Sequence, residues 1–204
     1  MIEFKNVYMR YNSDFFTLFD ANFSLSDHTI FIGDDYLGTG SIMRLIAKID
    51  KPIKGEILYE NKNINQINDK ELDISYITKK PIFIGNNLFN NLYYPLKIRK
   101  INKKSAQDII NNELTKYNLA NLNKNIKKLN INEQKIISLI RAKIRQPKYF
   151  LIEHFFDNLD VSYHDLANKI ILDIAKYSTI IATEKNNYEI YNNLNFETIN
   201  LDIK

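Results

Sequence analysis

The sequence predicts an α/β fold: a parallel core, with an antiparallel β subdomain at its start and an α-helical subdomain in its middle. Three observations predict it. The chain opens on strand-like segments, turns to helical periodicity through its middle, and closes with apolar strands alternating with amphipathic helices, the alternation that builds a parallel sheet. With 204 residues, 45% hydrophobic and 25% charged, it has ordinary globular composition and enough length for one good core.

"IEFKNVYMRY" and "FFTLFDANFSL" are rich in aromatic and β-branched residues in partial alternation, and the "NSD" between them is turn chemistry, so they read as an antiparallel pair. "HTIFIG" is a short apolar run closed by glycine. After the next loop, "SIMRLIAKI" sets Ile42, Leu45 and Ile46 on one helical face. "KGEILYENKNI" and "DISYITKKPIFI" read as further short strands, broken by Gly55 and Pro81. From about residue 86 to 145 the spacing is helical, with Ile109, Ile110, Leu114 and Tyr117 on one face and Ile136, Ile137, Ile140 and Ile144 on another. Then "KYFLIEHF" is a buried-type strand, "VSYHDLANKIILDIAKY" a helix, "STIIATE" a strand and "FETINLDI" a last one. No repeat, linker or composition break divides the chain. The boundaries are therefore those of subdomains, with 1–85 and 146–204 forming the α/β core and its β subdomain, and 86–145 the helical part.

The chain has no cysteine, which excludes disulfides and thiolate chemistry and fits a reducing compartment. His28, His154 and His164 show no metal-ligand spacing, so no metal site is expected from the sequence. The N-terminal "MIEFKNVYMRY" carries charges where a signal peptide needs an apolar run, and no stretch of about 18 apolar residues occurs. A cytoplasmic location is expected, with any membrane contact made through a partner. The formal charge of +4 comes from dispersed lysines, as in "KIRKINKKSAQ". It reads as solvated helix faces, and no nucleic-acid motif accompanies it.

The stretch "FIGDDYLGTGSIMRLI", residues 31 to 46, poses the functional question. A phosphate-binding loop reads G-x-x-x-x-G-K-[ST] between a strand and a helix, with backbone N–H groups and the lysine wrapped around phosphate oxygens. Gly33 and Gly38 have that spacing and context. Thr39 stands in place of the lysine and Gly40 in place of the hydroxyl that holds magnesium, with Ser41 offering a hydroxyl one position later. The loop also carries Asp34 and Asp35. Unit charges about 5 Å apart at an effective dielectric near 20 interact by roughly 3 kcal/mol, so the sign of the loop's charge opposes a triphosphate.

The order of these pieces resembles the ATP-binding subunit of an ABC transporter, colinearly over nearly the whole chain. "MIEFKNVYMRY" resembles the family's opening strand, with Tyr11 at the adenine-stacking position. "MRLIAKIDKPIKGEILYENKNI" resembles the segment after the family's phosphate loop, and "YYPLKIRK" and "RAKIRQPKYFLIEHFFDNLD" resemble later landmarks. The resemblance implies a P-loop NTPase fold of the ABC-ATPase type and assigns roles by position. Lys79 falls on the Q-loop glutamine, and "LNINE", containing Asn130, Ile131, Asn132 and Glu133, on the LSGGQ signature. Glu153 falls on the Walker B aspartate, His154 on the general-base glutamate, Asp160 on the D-loop aspartate and Glu184 on the switch histidine.

On that mapping, the groups that neutralise and position a γ-phosphate are replaced together. The expectation is a degenerate ABC subunit with impaired or absent ATP hydrolysis. No cofactor is expected, and ATP with magnesium only if Ser41, Glu153 and His154 substitute for the usual groups in an active enzyme. The implied partners are an ABC-type membrane permease and a second nucleotide-binding subunit, in a homodimer or heterodimer, with no nucleic acid. Two questions stay open at this level: whether His154 and Glu184 form a hydrogen-bonded pair or have drifted independently, and whether Asp160 caps the following helix or serves an interface.

Overall fold

The computed structural model describes residues 1–10, 17–33, 38–69, 71–186 and 188–201. In chain order its elements are β1 (Ile2–Met9), β2 (Leu18–Leu25), β3 (Thr29–Ile32), α1 (Thr39–Ile46), β4 (Lys54–Tyr59), β5 (Lys62–Asn63) and β6 (Ile74–Ile77). There follow α2 (Leu88–Ile98), α3 (Lys103–Lys116), α4 (Ile131–Arg145), β7 (Tyr149–Glu153), α5 (His164–Ala175), β8 (Thr179–Glu184), α6 (Glu189–Asn193) and β9 (Glu197–Asn200).

In β1 the buried positions start as Ile2 and Phe4 and continue as Val7 and Met9. The change of parity is a bulge, with a register shift between Phe4 and Val7 and a left-handed Asn6 at φ 49°. β1 pairs antiparallel with β2 on one side and β4 on the other, and β5 completes a four-stranded sheet in the order β2-β1-β4-β5. The second sheet is parallel, in the order β6-β7-β8-β3-β9. The antiparallel opening and the alternating parallel core thus follow the sequence reading.

Burial on both faces explains why the parallel strands are apolar without alternation. Phe31, Tyr149, Leu151 and Ile181 turn toward the antiparallel sheet and α1, in one core cluster. Ile30, Phe150, Ile152, Ile180 and Ala182 turn the other way, into a cluster built with α2 to α5. Each fully buried Ile or Leu there contributes roughly 1.5–3 kcal/mol. Within α4 every residue from Lys135 to Ile140 is buried, and so is Ile144, which completes the stripe of four isoleucines. That helix packs on α2 and α3 as well as on α5 and β6.

Two expectations need correction. "DISYITKKPIFI" is a strand only through Ile77; Thr78 to Phe83 lie outside any strand, and Pro81, lacking its N–H and restricting Lys80, disfavours resuming it. α6, five residues long, was not foreseen. For function, the decisive feature is register. Ile32 stands opposite Glu184, and Glu153 opposite Thr183, so the C-terminal ends of β3, β8 and β7 open side by side. That edge is where parallel α/β sheets place their ligands.

Candidate functional site at the strand ends

Gly33, just past β3, donates its backbone N–H to the Glu184 carbonyl at 3.0 Å. Gly38 is the N-cap of α1, with a left-handed φ of 91°, and no side chain caps that helix. A Cβ on Gly38 would lie 2.1 Å from the Thr17 carbonyl oxygen, so both the turn and the approach of β2 require glycine. Thr39 is fully buried, and its Oγ1 lies 3.2 Å from His154 Nε2. Gly40 faces the Glu153 carboxylate: a Cβ there would stand 3.2 Å from Oε1. Ser41 donates its hydroxyl to Thr17 Oγ1 at 2.9 Å, toward β2 and not toward β7. Tyr11, Asp34 and Asp35 lie outside the described residues.

At the end of β7, Glu153 accepts a 2.6 Å hydrogen bond from the Tyr76 hydroxyl and a longer one, 3.4 Å, from the Lys79 amide. His154 follows with a left-handed backbone, φ 44°, and donates its N–H to the Thr183 carbonyl at 2.7 Å. The turn swings its imidazole into the interior, where it is fully buried. Its Nδ1 lies 3.4 Å from Asp157 Oδ2, and that same carboxylate oxygen is 3.8 Å from Lys79 Nζ.

Glu184, at the end of β8, is fully buried. Its Oε1 accepts from the Phe155 and Phe156 amides at 3.0 and 3.2 Å and from the Tyr191 hydroxyl at 3.0 Å. Oε2 has no hydrogen-bond partner among the described residues. Burial pushes the carboxyl up to about 8, against the hydrogen bonds that favour the anion. At neutral pH the group is therefore mostly protonated. Lys135 of α4, also buried, donates to the Phe155 and Asp157 carbonyls at 2.7 and 2.5 Å, and desolvation lowers its pKa. Its ammonium fastens the loop after β7 to α4.

His154, Asp157 and Glu184 thus converge, with one ligand-capable atom of each lying within 4.8 Å of the others. The direct His154–Glu184 hydrogen bond considered from the sequence is not formed. Each acid or imidazole bonds elsewhere, His154 to Thr39 and Glu184 to the backbone and Tyr191. Asp157, Lys135 and Tyr191 were missed, since nothing in their spacing separates a buried polar anchor from a surface residue.

The remaining sequence candidates have structural employment. Asn130 and Glu133 form a reciprocal capping box at the start of α4, through bonds of 2.9 and 2.8 Å. The Asn-x-x-Glu spacing could have revealed it. Asn132 accepts from the Asp160 amide at 3.1 Å. Asp160 caps the short 3-10 turn Val161–Tyr163, bonding the Ser162 amide and hydroxyl. It stops one turn short of α5, whose own N-cap, Tyr163, makes no side-chain capping bond.

Residues 19–154, well over half the chain, match the family model for the ABC transporter. The chain belongs to the ABC transporter family. Among curated relatives of this ABC-family chain, the sn-glycerol-3-phosphate import ATP-binding protein UgpC of Bordetella avium is 25% identical over 163 residues, 78% of this chain and 45% of that protein. The probable iron export ATP-binding protein FetA of Escherichia coli is 28% identical over 158 residues, covering 74% of this chain and 69% of that protein. The chain thus spans under half the length of UgpC. Its fold matches the post-hydrolysis dimer of the ATP-binding cassette MJ0796 bound to ADP and Pi, with a TM-score of 0.83 at 18% identity over 98% of this chain and 94% of that one. A bacterial Atm1-family ABC exporter with ATP bound gives a TM-score of 0.79 at 16% identity, covering 98% of this chain and 36% of the other. Among the described residues, no helix of this family member is long and apolar enough to cross a membrane.

Proposed function

We propose that the chain is a degenerate ABC subunit that does not hydrolyse ATP and serves as a structural or regulatory member of a membrane transport complex. The observation that carries this reading is the occupation of the strand-end corner by the chain's own side chains. Thr39, at the lysine position, contributes a buried hydroxyl hydrogen-bonded to His154 instead of a cation, and beside it sits a mostly neutral Glu184. A γ-phosphate needs positive charge, a metal-binding hydroxyl and an oriented water, and the residues at those positions offer none of the three. The active alternative draws no support from Ser41, whose hydroxyl is turned to Thr17.

Docking to a permease is supported by a run of exposed apolar side chains after β6, with Ile82, Ile84 and Ile98 each more than 60% accessible and Tyr94 about half. Pairing with a second nucleotide-binding subunit is supported by exposed Ile131 and Val161, whose neighbours Asn132 and Asp160 hold the two segments together. Such a subunit would work at the inner face of a membrane through its partners. Purified protein is expected to show no ATPase above a buffer control and no saturable binding of Mg-ATP near millimolar concentration. Turnover that Lys79→Ala or His154→Ala abolishes would overturn the reading, as would an upward shift in melting temperature with Mg-ATP.

A further inference from the structure

We propose that His154, Asp157 and Glu184 bind one divalent ion of the zinc class at the ends of β7 and β8. One imidazole and two carboxylates, each offering an atom within 4.8 Å of the others, make a donor set with open coordination positions, which suits zinc or its first-row neighbours. Magnesium prefers oxygen ligands and keeps its water shell, so a buried site with an imidazole discriminates against it.

A second observation points the same way. Glu184 is 0% exposed, and three donors fix its Oε1 while Oε2 has no partner among the described residues. A buried oxygen left so costs about 1–3 kcal/mol, and a bound cation removes that cost. The outer contacts are also those of a metal site. His154 Nε2 meets Thr39 Oγ1 at 3.2 Å while Nδ1 faces Asp157 Oδ2 at 3.4 Å, and an outer hydrogen bond of that kind fixes the tautomer and ring plane of a ligating histidine. Tyr191 and two backbone amides do the same for Glu184.

Lys79 opposes the ion from 3.8 Å beyond Asp157, but its side chain is 31% exposed and has water to retreat into. Lys135 does not compete for the ligand atoms, being held by two backbone carbonyls. An ion here would tie the turn after β7 to the end of β8 across the mouth of the parallel sheet.

The test uses tag-free full-length protein stripped with chelator, with no nucleotide present, so its outcome is separate from that of the ATP experiments. Calorimetric titration with Zn²⁺ and visible absorption with Co²⁺ are expected to show one saturable ion per chain, with the Co²⁺ spectrum unmoved by excess Mg²⁺. Glu184→Gln keeps the Oε1 acceptor, and His154→Asn suits a left-handed backbone; each is expected to weaken binding at least about tenfold while retaining a cooperative metal-free melt. Glu153→Gln, whose carboxylate bonds Tyr76 outside the triad, is expected to bind as the parent does. Absence of stoichiometric binding in the parent, or binding unchanged in both Glu184→Gln and His154→Asn, would overturn the proposal.

Discussion

Replacing Glu184 by glutamine is expected to change how stability varies with pH. The carboxyl's pKa is pushed from 4.5 to about 8 by burial. Below pH 4.5 it is protonated in both folded and unfolded chains, so the group adds no pH dependence. Between about 4.5 and 8 the unfolded chain releases the proton while the folded one keeps it, and stability falls as pH rises, by about 1.4 kcal/mol per pH unit. Above 8 both states are ionised and the loss levels off at a total on the order of 5 kcal/mol. Glutamine keeps the oxygen that accepts from Phe155, Phe156 and Tyr191 and cannot ionise. The variant should match the parent near pH 4.5 and exceed it increasingly up to pH 8. The chain has no tryptophan, so urea unfolding followed by far-UV circular dichroism, with chelator present, is the suitable assay. Parallel curves of stability against pH for the two proteins would refute the assignment of a buried, protonated Glu184.

Gly38→Ala is expected to destabilise by roughly 2 kcal/mol or more, the left-handed backbone alone accounting for about 1–2 kcal/mol and the collision with the Thr17 carbonyl for the rest; thermal melting reads it directly. Asn130→Ala removes the capping box of α4 and should cost about 1 kcal/mol, measurable as a lower urea midpoint with an unchanged denaturant slope.

Much of the fold is legible in the residues because its signals are local. Apolar runs such as "STIIATE" and helical stripes such as Ile136, Ile137, Ile140 and Ile144 declare both element and burial. "PIFI" misleads because a β-rich composition says nothing of whether a paired neighbour exists; β6 had already ended at Ile77, and Pro81 disfavours resuming it. The site is less legible. Gly33, Gly38, Thr39, His154 and Glu184 come together as the motif order implies, yet what each touches depends on tertiary detail. Ser41 turns to Thr17, and the His154–Glu184 exchange resolves into separate bonds because Tyr191 and two amides already hold the carboxylate. Lys135 stands between Gln134 and Ile136 with no sequence mark of its role. Only the geometry after β7 shows two carbonyls waiting for its ammonium.

The contact between Gly38 and the Thr17 carbonyl has a consequence for reading ancestry. The residue types at 39 and 40 face the corner, Thr39 through its bond to His154 and Gly40 through its approach to Glu153, and selection can rewrite them once the occupant changes. Gly38 before them answers instead to the Thr17 carbonyl at the foot of β2, a constraint that holds whether or not anything docks there. A glycine at such a turn therefore records a demand of the backbone, and a comparison that scores it as evidence of chemistry takes a piece of the chassis for the engine.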